Sequence, residues 1–176
     1  MTTPNVDAVR VAVSGGVYFA DATTALPSAG ATTAKLGFEE LGYVSEEGLT
    51  QAIDENVTPI KAWQNGDTVR KVQDSHELTY AFSCLETNDQ VLRAYYGNYA
   101  AGTVQIRGDA ETRGHWIFEI IDGGDRFRIV VPDGQVTDRG DIQYVNSNAV
   151  MYPMTIDCYP DDDGVKAYIY LLGTES

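Results

Sequence analysis

"GYVSEEGLTQAIDENVTPIKAW", Gly42 to Trp63, runs directly into "QNGDTVRKVQ", Gln64 to Gln73. The first stretch opens on a tight apolar step and continues as a long segment of mixed polarity. Glu46, Glu47, Gln51, Asp54, Glu55 and Asn56 make it too polar to form a core of its own. Gly48 permits a bend, and Leu49, Ile53, Val57 and Ile60 recur along it as apolar anchors. Asn65-Gly66 then reads as a turn between two extended runs. The segment at about 44–66 is therefore a polar arm set between strands, and the question is what a compact domain does with it.

The rest of the chain answers in strands. Two-residue periodicity rich in Val, Ile, Thr, Tyr and Phe predicts extended segments. They fall at 9–13, 17–20, 49–54, 59–63, 68–73, 77–85, 103–107, 116–121, 127–131, 150–159 and 165–172. Turn formers separate them at Ser14-Gly15-Gly16, Asn65-Gly66, Asp122-Gly123-Gly124, Pro132-Asp133-Gly134 and 161–164. This spacing predicts a mainly β, antiparallel sandwich or barrel. The last turn is read as a hairpin joining 150–159 to 165–172.

One principal helix is expected to flank the strands. Thr87 stands at an N-cap position with Gln90 three residues on, a capping box, and Asp89 adds charge that favours the helix N-terminus. Val91, Leu92, Tyr95 and Tyr96 supply the apolar face, and Gly97 supplies the stop. A helix of about nine or ten residues is marginal alone and must pack across a sheet.

Composition narrows the function. The 176 residues contain 12 Lys plus Arg against 26 Asp plus Glu, a net charge of −14. That balance argues against a general nucleic-acid binder, whose affinity comes from counterions released around cations. Cys84 and Cys158 lie far apart inside apolar runs, which favours free buried thiols. No apolar segment approaches membrane-spanning length, and the N-terminus lacks the pattern of a signal peptide.

Catalytic chemistry has little to stand on. The only histidines, His76 and His115, have neither metal-site spacing nor a neighbouring cysteine in sequence. "PDDDG", residues 160–164, lacks the alternating ligands and terminal Glu of a calcium loop. Arg107-Gly108-Asp109 and Arg139-Gly140-Asp141 are read as loops, and no phosphate-binding Gly-rich loop is present. No enzyme activity, cofactor or metal is expected. Eleven tyrosines and two tryptophans leave a carbohydrate-binding β-module as an alternative, although Tyr80, Tyr152, Tyr168 and Tyr170 alternate within strands as core or interface residues do.

Three pieces, in order, resemble the major tail tube protein family of long-tailed (siphovirus) phages, most like those of actinobacterial hosts. They are "LGYVSEEGLTQ" (41–51), "IKAWQNGDTVRKVQ" (60–73) and "LTYAFSCLETNDQVLRAYYG" (78–97), with "VRVAVSGGVYFAD" (9–21) similar to the family's opening strand pair. The direct similarity covers roughly the first hundred residues. It implies a single tail-tube domain over 1–176 without a C-terminal immunoglobulin-like domain. It also implies homo-hexameric rings stacked around a tape-measure protein, with tail-tip and terminator proteins as further partners. The resulting bore would conduct double-stranded DNA without binding it specifically. The protein would be made in the host cytoplasm and reside in the virion, with no membrane partner. A tail terminator or completion factor, which forms one ring and stops, is the nearest alternative.

Under that resemblance the arm reaches an adjoining ring through Leu49, Ile53, Val57, Ile60 and Trp63. Asp54, Glu55, Asp74 and Glu77 become candidates for an acidic lumen wall that repels DNA, acting within a screening length of about 8 Å at physiological salt. Lys61, Arg70 and Lys71 become candidates for salt bridges between subunits.

Overall fold

The computed structural model describes residues 8–28, 35 and 37–172. Its centre is the strand pair β7 (Arg113–Asp122) and β8 (Asp125–Arg139), joined through Gly123-Gly124. Trp116, Ile117 and Phe118 are all buried, so β7 buries both of its faces, as an interior strand does. Outward on one side lie β1 (Ser14–Ala20) and the two-residue β2 (Glu39–Glu40). On the other side lie β9 (Tyr152–Cys158), β4 (Thr68–Cys84) and finally β3 (Thr50–Lys61). The order is β2-β1-β7-β8-β9-β4-β3, antiparallel throughout, with β10 (Tyr168–Leu172) added to β8. A short ribbon, β5 (Tyr99–Ala100) with β6 (Thr103–Val104), stands apart. The predicted antiparallel, mainly β class holds, and the sheet stays open rather than closing into a barrel.

The core lies on one face of this sheet. Phe19 and Trp116 have ring centroids 4.6 Å apart, and Tyr80 and Phe118 have theirs 4.9 Å apart. Helix α1 (Asp89–Tyr96) covers them with Val91, Ala94 and Tyr95. Two details differ from the sequence expectation. The helix has eight residues, and its N-cap is Asn88, whose Oδ1 accepts from the Val91 N–H at 2.8 Å. Asn88 Nδ2 also donates to the Leu41 carbonyl, while the Thr87 hydroxyl pairs with Tyr152 OH. Gly97 takes the left-handed C-cap, as expected.

Two further corrections share one cause: long-range pairing overrides local turn chemistry. Gly15 and Gly16 are inside β1, where a side chain on Gly15 would collide with the Glu119 carbonyl. Pro132-Asp133-Gly134 is inside β8. There β10 has stopped pairing at Val130 and β9 begins at Gly134, so the missing N–H of proline falls in a gap between partners. Gly134 is needed because a Cβ would sit 2.7 Å from Trp116 Cδ1, and its carbonyl accepts the indole N–H at 3.0 Å. The turn at 161–164 forms, yet β10 pairs with β8 and makes no hairpin with β9. Residues 9–13 lie outside any strand, with the Val11 N–H held by Asp122 Oδ2 at 2.9 Å. Of 103–107, only Thr103–Val104 is strand.

Asn88→Ala should lower unfolding free energy by about 1–2 kcal/mol, read by denaturant titration, because it removes the cap and the tie to Leu41. Thr87→Ala should cost less, reversing the order the capping-box reading implies.

Candidate functional site

The predicted arm is the distal part of a long hairpin. Strand candidates 49–54 and 59–63 fuse into β3, and 68–73 and 77–85 fuse into β4. β9 pairs with β4 only from Thr79 to Cys84. Beyond Thr79 the two strands pair with each other alone, and from Leu78 to Thr68 they project about 35 Å at roughly 3.4 Å per residue. Lys166 Nζ donates to the His76 carbonyl and braces the base. The tip closes through the Ala62 N–H to Asp67 carbonyl bond at 2.7 Å, with Asn65 and Gly66 both at positive φ. Pro59 is tolerated because β3 is an edge strand.

Register assigns the side chains to faces. Gln51 opposes Tyr80, Ile53 opposes Leu78 and Glu55 opposes His76, continuing the core side of the sheet. Asp54 opposes Glu77 on the other face. A register shift between Asn56 and Val57 leaves Asp74 as the extra residue, and its carboxylate accepts from the Thr58 hydroxyl, which places it on the Asp54 face. Three of the four acids proposed for a lumen wall, Asp54, Asp74 and Glu77, thus share one face. Glu55 is on the opposite face, 3.8 Å from His76 Nε2. Asp54 directly across from Glu77 is a repulsive cross-strand pair, the opposite of what stability alone would select.

The other candidates divide as well. Ile53 and Val57 extend the core-side face, Ile60 lies on the acidic side, and Trp63 at the tip is 99% exposed. Leu49 is half-buried against the chain's own core. Lys71, opposite Pro59, and Lys61 are on the core-side face, and Arg70, opposite Ile60, is on the acidic one. Among the described residues none of these three cations is in an ion pair. Val69 and Val72, also exposed on the hairpin, belong to the expected strand 68–73 but are not among the contact candidates.

Sequence reasoning also missed a buried ion cluster. Glu119 and Arg128 are cross-strand partners on β7 and β8, both almost fully buried, with Arg128 Nε 2.9 Å from Glu119 Oε1. Lys35 Nζ lies 2.6 Å from Glu119 Oε2 and 3.9 Å from the Tyr18 ring centroid. Burial acts to raise the Glu119 carboxyl, but the Lys35 and Arg128 hydrogen bonds outweigh it and hold it below its ordinary value. The Cys84 and Cys158 thiols are free and buried, and burial pushes each up to about 12. Among the described residues no group of His, Cys, Asp or Glu is arranged to hold a metal, and no helix is long and apolar enough to cross a membrane.

A family profile described as "Phage tail tube protein" matches residues 2–174. No curated protein matches the chain. Among solved structures, a chain of a native gene transfer agent virion is 7% identical at a TM-score of 0.42, covering 80% of this chain and 92% of that one. A chain of the anti-feeding prophage baseplate, a six-fold symmetrised cryo-EM structure, is 11% identical at 0.43 and covers 100% of both.

Replacing Glu119 with Ala removes the carboxylate that bonds the buried Arg128 and should cost about 3–5 kcal/mol by thermal or chemical denaturation. In the wild type the lowered Glu119 value contributes stability that is complete above the unfolded carboxylate value of about 4.3 and fades as pH falls through the folded one. Glu119→Gln should flatten that part of the acid-denaturation curve.

Proposed function

The chain belongs to the phage tail tube protein family, and we propose that copies of it close into hexameric rings that stack as the DNA-conducting tube of a long-tailed phage. Membership makes it a structural component of the tail and virion. The ring, the stacking and the conduit are the reading the hairpin favours.

The projecting hairpin is the observation that carries it. A two-stranded ribbon is at best marginal in water by itself, and this one exposes Ile53, Val57, Ile60, Trp63, Val69 and Val72. Among the described residues its outer edge along β3 is an unpaired row of backbone donors and acceptors. Both features gain from a partner, and a second copy of the same chain is always present at equal concentration. A head-to-tail contact between copies closes a ring or continues as a filament, according to its rotation. The arm, residues 44–66 with its β4 return strand, therefore serves as the contact between rings in a single-domain subunit.

The acidic face has a compatible role. Duplex DNA carries a charge about every 1.7 Å of axis, and a wall of Asp54, Asp74 and Glu77 would repel it at close range. Glu55, on the reverse face beside His76, would then serve packing rather than the bore. Lys61, Arg70 and Lys71 meet carboxylates of another copy, and tape-measure, tip and terminator proteins engage the two ends of the stack.

Electron microscopy of the purified chain at high concentration tests the reading. Long tubes are expected from the wild type, whereas isolated rings would favour a terminator and glycan-binding monomers a carbohydrate module. Joining Asn56 to Asp74 through a short turn should leave a folded monomer that forms no tubes, and tubes from that variant would contradict the arm's role. In phage, Asp74→Asn with Glu77→Gln should preserve tails but slow DNA ejection.

A further inference from the structure

A cleft of about 760 Å³ opens beside the outer edge of β1, a size that accommodates several side chains. Phe118, Ile120 and Leu49 supply apolar lining, and Glu40, Glu46 and Glu86 supply carboxylates. None of these three acids is in an ion pair among the described residues. Lys35 and Arg128 already neutralise Glu119, which also lines the cleft. Two groups there are unsatisfied. β2 pairs only with Tyr18 and Phe19, so the outer edge of β1 from Ser14 to Gly16 has no ladder partner among the described residues. The Ser45 hydroxyl, on a residue 9% exposed, likewise has no hydrogen-bond partner among them.

The hairpin tip has the complementary character. Within residues 57–73, Lys61, Arg70 and Lys71 face a single acid, Asp67, in a chain whose overall charge is −14. Val57, Ile60, Trp63, Val69 and Val72 give the same segment its exposed apolar surface.

We propose that this cleft receives the distal half of the β3–β4 hairpin from a second copy of the chain. Trp63 and its aliphatic neighbours occupy the Phe118–Ile120–Leu49 lining, and Lys61, Arg70 and Lys71 meet Glu40, Glu46 and Glu86. The contact cannot be made within one copy. Val44 in the cleft wall is bridged to Cys84, at one end of the seventeen-residue β4, while the hairpin tip follows from Thr68 at the other end. At roughly 3.4 Å per residue, about 55 Å of strand separates them. Donor and acceptor on opposite ends of one strand make the association head-to-tail, the polarity that stacking requires. The proposal rests on the tube reading and adds to it the identity of the receptor surface.

Charge reversal tests it in two chains. One carries K61E/R70E/K71E and the other carries E40K/E46K, each checked for native circular dichroism and melting. Each variant alone should need at least tenfold more protein to assemble than the wild type, as read by sedimentation and electron microscopy. Mixed, they should assemble again, because each tip now finds an oppositely charged cleft. A second measurement uses W63C and E46C in separate chains of native charge, which should form a disulfide between copies on assembly. Assembly of either reversed chain at the wild-type concentration, no rescue on mixing folded variants, or no disulfide in formed tubes would overturn the docking while leaving the tube intact. A wild-type chain that never associates would overturn both.

Discussion

An antiparallel ribbon that leaves its parent sheet loses the surface against which its side chains would pack. That constraint governs this molecule. Within the sheet, β4 alternates buried Leu78, Tyr80, Phe82 and Cys84 with more exposed neighbours, and β9 covers its outer edge. Past His76, whose carbonyl Lys166 still holds, neither support exists among the described residues, yet β3 and β4 keep their register almost to the tip, with shifts near Asn56 and Ile60. The backbone bonds are satisfied, but the apolar side chains and the β3 edge are not. A protein that worked alone would gain stability by shortening such a hairpin. One that works by contact with copies of itself needs it long.

The body of the domain supplies what the hairpin lacks, a rigid mount. Two central strands bury aromatic rings on the helix side and the Lys35–Glu119–Arg128 cluster on the other. Removing one member of such a cluster costs more than its presence contributes, because the remaining charges stay buried. β1, held against β7 over its whole length, forms one wall of the acidic cleft. Donor and acceptor are thereby set by the same sheet, at a separation the strand lengths determine.

Much of this was legible in the chain. Alternation in 116–121 and 127–131 and the Asn65-Gly66 turn located central strands and hairpin tip, because those signals are local. Legibility failed where the partner is distant in sequence. Pro132 and Gly134 spell a turn, but Trp116 and the gap between β9 and β10 turn them into a strand. The partner of β10 could not be read from its own period, since nothing in 168–172 distinguishes β8 from β9. The faces of the hairpin depended on one extra residue, Asp74. Without that bulge, strict alternation would have put Asp74, three residues from Glu77, on the opposite face. The cleft was invisible for the same reason: Glu40, Glu46 and Glu86 lie in three segments that only the fold brings together.

Hydrogen–deuterium exchange at the backbone amides of residues 53–76, compared between free chain and assembled protein, tests the central claim most directly. The account predicts fast exchange along the outer edge of β3 and at the tip in the free chain, and strong protection of both on assembly, with little change in β7 and β8. Equal exchange in the two states would mean that the hairpin finds no partner, and would contradict it.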